Sequence, residues 1–152
     1  MLKEKLSNYD VILASQSPRR IKFFNDLDIK FKSVKLDVDE SYPNHLKAEQ
    51  ITDFLADKKA RFYNDLINTN TILVTSDTIV WMKGEALGKP TDNKNAKEIL
   101  KVLSNNTHKV ITSFCIKTVD KRIIINDTTE VSFKELTDKE IDYYIDNNNV
   151  LD

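Results

Sequence analysis

Glycine and proline are scarce in this sequence, which has 2 glycines and 3 prolines among 152 residues. Walker-type phosphate loops and dinucleotide-binding turns need glycines at set spacings. The turn at residues 15–20 is polar and doubly basic but contains no glycine, which excludes both motifs there. We expect each of the few glycines and prolines to mark a specific turn.

Cysteine is rarer still, and a single residue, Cys115, excludes an intramolecular disulfide. A charge excess is also lacking: 23 basic and 24 acidic side chains give a formal net charge of −1, so no overall field favours nucleic acid or an anionic membrane. No apolar run approaches membrane-spanning length, and the first residues lack the apolar core of a signal peptide. We therefore expect a cytoplasmic protein that binds neither nucleic acid nor membrane.

Hydrophobic periodicity indicates one mixed α/β domain over residues 1–152. Hydrophobic residues make up 40% of the chain, which is enough for a single core at this length. Predicted strands cover residues 11–14, 31–36, 71–76, 78–82, 85–87, 109–120 and 122–131. Predicted helices cover residues 18–27, 46–68 and 93–103, and a last helix follows a capping box at 137–140. This order predicts a mixed twisted sheet flanked by helices, with a ligand cleft at the carboxyl ends of the strands.

The turn after the first strand is the first candidate site. Ser17 and Pro18 form a strong helix start, with a capping hydroxyl followed by proline at the first helical position. The amino terminus of a helix favours an anion, and Arg19 and Arg20 add positive charge suited to phosphate. Together with Ser15, these residues predict a phosphate site. A well-capped structural corner with surface arginines is the plainer interpretation.

Charged residues farther along the chain complete a candidate catalytic set. They are Glu40 in an acidic loop, Lys59 in the longest predicted helix, Asp77 at a strand end and Lys89 in a loop. Phosphoanhydride hydrolysis needs positive charge on the phosphate oxygens, a divalent cation and a carboxylate that activates water. Helix amphipathicity does not separate Lys59 from Lys58. The neighbouring acids Asp37 and Asp39 are alternatives to Glu40.

The sequence resembles the Maf nucleotide pyrophosphatases along essentially its whole length. The match is carried by the signature Ala14-Ser15-Gln16-Ser17-Pro18-Arg19-Arg20. It continues through residue 40 and residues 55–60, 76–80, 88–90 and 107–113. The resemblance implies hydrolysis of nucleoside triphosphates to monophosphate and pyrophosphate with Mg or Mn, on a fold related to the inosine triphosphate pyrophosphatases. Ser-Pro-Arg-Arg combined with Asp-Thr resembles the branch acting on dTTP and UTP, rather than the branch associated with 7-methyl-GTP.

The resemblance also implies a role for each candidate residue. The proton acceptor is Asp77, and the residues near the metal are Glu40 and Asp77. The residues that face the phosphates are Arg19, Arg20, Lys59 and Lys89, and the substrate-binding set also includes Ser15 and Ser17. The selectivity set contains Arg19 and Thr78.

One departure from the family concerns the carboxyl end. Family members continue beyond the helix containing Tyr143 and Tyr144 into a segment that supplies another phosphate-facing lysine and a selectivity glutamine, whereas this sequence stops at Asp152. We expect a domain that is incomplete relative to the family. The alternative function is therefore a catalytically weak or inactive nucleotide-binding or regulatory protein. A homodimer is a further expectation.

Several other residues favour structural roles. His45 and His108 have no second metal ligand at a useful spacing, so we interpret both as surface or structural residues. Trp81, Phe62 and Tyr63 are interpreted as core residues rather than base-stacking platforms. Nucleic-acid binding by the arginine pair is a third class of function, which the near-neutral charge disfavours.

Overall fold

The computed structural model describes residues 1–63 and 67–151. The helices in these residues are α1 (Leu2–Leu6), α2 (Pro18–Asp26), α3 (Glu49–Phe62), α4 (Asn93–Leu103) and α5 (Asp138–Asn147). The strands are β1 (Asp10–Leu13), β2 (Phe31–Ser33), β3 (Thr71–Met82), β4 (Glu85–Leu87), β5 (Thr107–Lys117) and β6 (Arg122–Ser132). None of the described helices has the length and apolar composition that a membrane span requires.

The strands form a six-stranded sheet in the order β2-β1-β3-β5-β6, with β4 paired to β3. Strand β1 is parallel to both β2 and β3, and β4 is antiparallel to β3. The predicted mixed α/β fold is therefore confirmed, with β2 at an edge of the sheet. In the β1–β3 pair Leu13 lies opposite Val74, so residues 76–78 of β3 lie beyond the carboxyl end of β1.

The first of two compact units comprises residues 1–78 and 112–127. Ala56 and Ala60 of α3 are fully buried in one cluster with Leu73 of β3 and Cys115 of β5. Residues four apart lie on the same face of a helix, so Ala56 and Ala60 both face this cluster. Cys115 is a free, buried thiol. This packing fixes α3, which carries two candidate lysines, in the unit that also contains residues 71–78 of β3.

The second compact unit comprises residues 79–111 and 128–152, described here as far as residue 151. Ala96 of α4 is buried with Ile141 and Ile145 of α5. The predicted capping box is present, since Thr137 Oγ1 accepts from the Glu140 amide at 3.3 Å and the Glu140 carboxylate accepts from the Thr137 amide at 2.9 Å. The interpretation of residues 1–152 as a single domain stays a prediction.

Some predicted elements differ from those observed. Residues 71–82 form one continuous strand instead of two, because Thr75 and Asp77 near its middle are buried and bonded to α3, as described below. Helix α3 ends at Phe62, whose side chain is 51% exposed, so its assignment to the core was wrong. Leu66, at the end of the predicted helical stripe, lies outside the described residues. Strand β2 ends at Ser33, and α1 was not predicted.

Candidate functional site

The β1–α2 turn begins where the parallel pairing with β3 ends. The Ala14 amide donates to the Val74 carbonyl at 2.9 Å, and α2 starts at Pro18 as predicted. Ser17 occupies the N-cap position, but its hydroxyl makes no capping hydrogen bond. Its amide donates instead to Ser15 Oγ at 3.2 Å. The expectation of a capping hydroxyl at Ser17 was therefore wrong, and the turn is held by Ser15.

The edge strand β2 also supports this turn. Ser33 Oγ donates to the Ser15 carbonyl at 2.7 Å and accepts from Gln16 Nε2 at 3.0 Å. These bonds fix the backbone of the turn before α2 begins. Sequence reasoning missed Ser33, because its role depends on the parallel pairing of β2 with β1 and not on any local pattern.

The two arginines of α2 have different surroundings. Arg20 donates from Nη1 to the Ser76 carbonyl at 3.1 Å and from Nη2 to Thr78 Oγ1 at 3.0 Å. These two contacts hold its guanidinium against β3. Arg19 is exposed, and its predicted role in selectivity stays a prediction. The structure therefore joins Arg20 and Thr78 in one contact set, and their role in substrate binding stays a prediction.

Asp77, Lys59 and Glu40 form a second contact set. Lys59 Nζ lies 2.6 Å from Asp77 Oδ1 and 2.8 Å from Glu40 Oε1. The Lys59 and Asp77 side chains are 13% and 10% exposed, whereas that of Glu40 is 58% exposed. One ammonium group thus bridges a buried carboxylate and a largely exposed one. Asp77 lies within β3 rather than at a strand end, but it does lie beyond the carboxyl end of β1, as a cleft at that position requires.

Strand β3 presents different chemistry on its two faces. Thr75 Oγ1 donates to the Ala56 carbonyl of α3 at 2.6 Å, and Asp77 contacts Lys59 of the same helix. Because side chains alternate along a strand, Thr78 points away from α3, and it receives the hydrogen bond from Arg20 of α2. The acid therefore faces α3 and the hydroxyl faces α2.

The pKa of Asp77 lies above its ordinary value. Burial is the largest cause, and the neighbouring Glu40 carboxylate acts in the same direction. Lys59 and, more weakly, Arg20 oppose the shift by attracting the ionised form. Desolvation thus makes Asp77 a stronger base than an exposed aspartate, which suits a group that accepts a proton from water.

The structure separates the two neighbouring lysines of α3. Lys58 turns to the exposed loop, where its Nζ lies 3.2 Å from Asp39 Oδ2 and donates to the Ser41 carbonyl at 2.9 Å. Hydrogen bonds from Ser41 and Lys58 lower the pKa of Asp39 to about 2. Asp39 is thus engaged within its own loop, whereas Glu40 reaches Lys59. The choice of Lys59 over Lys58 and of Glu40 over Asp39 agrees with these contacts.

The donor set at Asp77 and Glu40 fits a hard divalent cation. Both residues offer the carboxylate oxygens that hard divalent cations bind, and a cation there would share them with Lys59 Nζ. Within residues 1–63 and 67–151, no group of three or more His, Cys, Asp or Glu side chains is arranged to hold a metal ion. Magnesium does not need such a group, because it commonly binds through one or two carboxylates together with substrate phosphates.

Three other candidates are described by their own surroundings. Lys89 is exposed in the second unit after β4, and its contact with phosphate stays a prediction. His45 is exposed. His108 is 5% exposed and packs edge to face on Phe133, with ring centroids 5.1 Å apart. These surroundings agree with surface and structural roles for the two histidines.

Sequence reasoning also missed polar residues of β5 that contact the elements of the site. Thr112 Oγ1 lies 3.0 Å from Thr78 Oγ1. The next residue, Ser113, is fully buried, and its Oγ lies 2.6 Å from Thr52 Oγ1 and 2.7 Å from Asp53 Oδ1 on α3. The alternation of side chains along β5 predicts opposite faces for these two residues, but only the strand order places them beside β3 and α3.

Comparison with known proteins supports the fold and identifies the family. The described fold is similar to that of the Staphylococcus aureus Ham1 protein, with a TM-score of 0.53 at 15% identity over 80% of this chain and 70% of that one. A dTTP/UTP pyrophosphatase of Flavobacterium johnsoniae is 52% identical over 147 residues, covering 97% of this chain and 76% of that protein. A protein of the same name from Phocaeicola vulgatus is 43% identical over 143 residues, covering 93% of this chain and 74% of its own length.

A family profile described as Maf-like protein matches residues 10–152. The matched residues include both contact sets, the β1–α2 turn and Thr112. The match agrees with the resemblance of residues 14–20 to the signature of the same family. The chain belongs to the Maf-like protein family.

Proposed function

We propose that this chain hydrolyses dTTP and UTP to the nucleoside monophosphate and pyrophosphate with a divalent cation. The observation that carries the proposal is the buried Asp77 carboxylate, whose pKa burial raises and whose Oδ1 lies 2.6 Å from Lys59. Relatives up to 52% identical bear the name dTTP/UTP pyrophosphatase, which supports this substrate class. The proposal extends to this chain an activity that the relatives' names describe.

Asp77 acts in this proposal as the general base. It accepts a proton from a water molecule as that water attacks the phosphoanhydride between the α- and β-phosphoryl groups. The water oxygen forms the new P–O bond, the bridging P–O bond breaks, and pyrophosphate leaves. Lys59 keeps Asp77 oriented and, with Arg20, supplies positive charge for the phosphate oxygens, because preorganised cations stabilise charge that develops during phosphoryl transfer.

Glu40 and Asp77 are the residues that would hold a magnesium or manganese ion. When bound, such an ion would neutralise phosphate charge and polarise the bond that breaks. Ser15, Ser17, Arg19 and Lys89 complete the proposed substrate-binding set, with the two serines in the β1–α2 turn. Arg19 and Thr78 are the proposed selectivity residues. Thr78 directly follows Asp77 and accepts a hydrogen bond from Arg20.

The experiment that tests this function follows pyrophosphate release from dTTP, UTP, CTP and 7-methyl-GTP, with magnesium, with manganese and with EDTA. Release from dTTP and UTP that EDTA abolishes is the expected result. Asp77→Asn should lower kcat at least a hundredfold, in line with loss of a general base, and should leave nucleotide binding largely intact. Asp120→Asn, in the exposed turn after β5, is the matched control and should retain full activity.

Two results would contradict the proposal. Nucleotide binding without pyrophosphate release at high protein concentration would favour the alternative, a catalytically inactive nucleotide-binding or regulatory protein. An unchanged rate for Asp77→Asn would remove Asp77 from the role of base. A homodimer and the absence of nucleic-acid and membrane binding accompany the proposal as predictions that the same purified protein can test. Cytoplasmic location is a further prediction, which fractionation of cells tests.

A further inference from the structure

Thr112 of β5 contacts the Arg20–Thr78 set directly. Its Oγ1 lies 3.0 Å from Thr78 Oγ1, and its side chain is half-buried, while Thr78 is exposed. The contact joins neighbouring strands of the sheet, since β5 lies beside β3. No motif identified in the sequence assigns Thr112 a role by itself. Its hydroxyl is the group through which β5 reaches the contacts of Arg20.

The hydrogen-bonding capacity of the three groups limits which bonds Thr78 Oγ1 can form. A guanidinium only donates, so Thr78 Oγ1 must accept from Arg20 Nη2. A hydroxyl has one hydrogen and two lone pairs, so Thr78 keeps one hydrogen and one lone pair after that bond. Thr112 engages one of these two. It thereby fixes the torsion of the Thr78 hydroxyl. The remaining hydrogen or lone pair then points in one direction, where an incoming ligand would bond to it.

Two acceptors that Arg20 contacts are of different kinds. One is the Ser76 carbonyl at 3.1 Å, which the backbone of β3 fixes, and the other is the Thr78 hydroxyl at 3.0 Å. Two acceptors on one guanidinium determine the plane of its fork, which matters because arginine binds phosphate through paired donors in fixed geometry. The hydroxyl acceptor depends on a side-chain torsion, and Thr112 is the residue on β5 that restrains it.

We propose that Thr112 is a positioning residue for the nucleotide site: through Thr78 it holds Arg20 in the orientation that binds the triphosphate. This inference rests on the proposed function for the identity of the ligand. In this proposal Arg20 contacts phosphate in both the bound substrate and the transition state. A misoriented Arg20 therefore weakens the binding of both to a similar extent. The loss is therefore expected in KM rather than in kcat.

The test compares Thr112→Val, which keeps the shape but removes the hydroxyl, with Thr112→Ser, which keeps the hydroxyl. Loss of one neutral hydrogen bond corresponds to about three- to tenfold in binding, so Thr112→Val should raise KM for UTP by that factor with kcat nearly unchanged. Thr112→Ser should restore the wild-type KM. Thr107→Val is the matched control, because Thr107 lies on the same strand and its Oγ1 forms a 2.7 Å hydroxyl pair with Ser132 Oγ.

A double-mutant cycle checks that Thr112 acts through Thr78. In a Thr78→Val background, Thr112→Val should add no further increase in KM, since the hydroxyl it restrains is gone. An additive effect of the two substitutions would overturn the proposal. So would an unchanged KM in Thr112→Val, or an equal effect of Thr107→Val. Thr112→Ala is the second variant if Thr112→Val does not fold, as judged by its melting temperature.

Equilibrium binding of α,β-methylene-UTP separates this inference from the proposed function. If the wild-type protein binds this analogue but does not hydrolyse UTP, the catalytic proposal fails, and the role of Thr112 is decided by Kd. A three- to tenfold higher Kd for Thr112→Val, rescued by Thr112→Ser, would then support it. Absence of analogue binding by the wild-type protein would overturn both.

Discussion

Replacing Lys59 by methionine should destabilise the protein by placing two carboxylates together without their shared cation. Lys59 Nζ lies 2.6 Å from Asp77 Oδ1 and 2.8 Å from Glu40 Oε1, so the two oxygens are no farther apart than the total of these distances, 5.4 Å. At that separation, with an effective dielectric constant of about 20, two unit charges repel by about 3 kcal/mol. Because Glu40 is 58% exposed, water screens part of this repulsion.

We therefore expect Lys59→Met to lower the free energy of unfolding by about 2 to 3 kcal/mol at pH 7, mainly through the uncompensated charge of buried Asp77. For a chain of this length, that corresponds to a fall in Tm of between about 4 and 12 °C. Chemical denaturation by urea and thermal unfolding of the purified variants measure both quantities. The loss should shrink as the pH falls and Asp77 becomes protonated.

Two further variants make the measurement decisive. Lys58→Met is the control, because Lys58 pairs with Asp39 at an exposed position and such pairs contribute about 0 to 1 kcal/mol. The double variant Lys59→Met with Asp77→Asn should recover most of the lost stability, since the buried charge is then removed as well. The reasoning is refuted if Lys59→Met is as stable as the wild type at pH 7, or if the double variant is no more stable than Lys59→Met.

Two other predictions concern helix capping and the pH dependence of activity. Thr137→Ala should cost about 1 kcal/mol of unfolding free energy, because it removes the capping box of α5. Ser17→Ala should cost clearly less, since the Ser17 hydroxyl makes no capping bond. Equal losses in urea denaturation would contradict this prediction. Burial raises the pKa of Asp77 above 3.8, and a general base must be unprotonated, so kcat/KM should fall with decreasing pH around a midpoint above 3.8. A midpoint at or below 3.8 would contradict the assignment, and Lys59→Met should move the midpoint to higher pH because Lys59 lowers this pKa.

Sequence patterns predicted much of the fold because local signals were strong. The bounds of α4 were predicted at Asn93 and Leu103, where an amphipathic stripe follows a capping aspartate whose side chain accepts from the Asn95 amide at 2.7 Å. The start of α2 at Pro18 follows from the fixed φ angle of proline and its missing amide hydrogen. Both signals act within one turn of the chain, so they need no tertiary information.

The pairings within the site depend on tertiary contacts, and periodicity alone left them open. Lys58 and Lys59 are adjacent on α3, and the packing of α3 against β3, with Ala56 and Ala60 in the core, is what brings Lys59 to the buried acid. The continuity of β3 was missed for a similar reason. A polar segment inside an apolar run indicates a strand end, yet Thr75 and Asp77 are buried because α3 supplies a carbonyl for one and an ammonium for the other.

The alternation of side chains along β3 limits the insertions and deletions that the gene can tolerate. The register that places Leu13 opposite Val74 decides which of Asp77 and Thr78 meets α3. Inserting or deleting one residue between positions 74 and 77 would exchange the two faces, turning the acid toward Arg20 and the hydroxyl toward Lys59. Point substitutions in this segment can weaken one contact at a time. A change of length there removes both contact sets together, so functional members of the family should preserve the spacing of this segment even where its side chains differ.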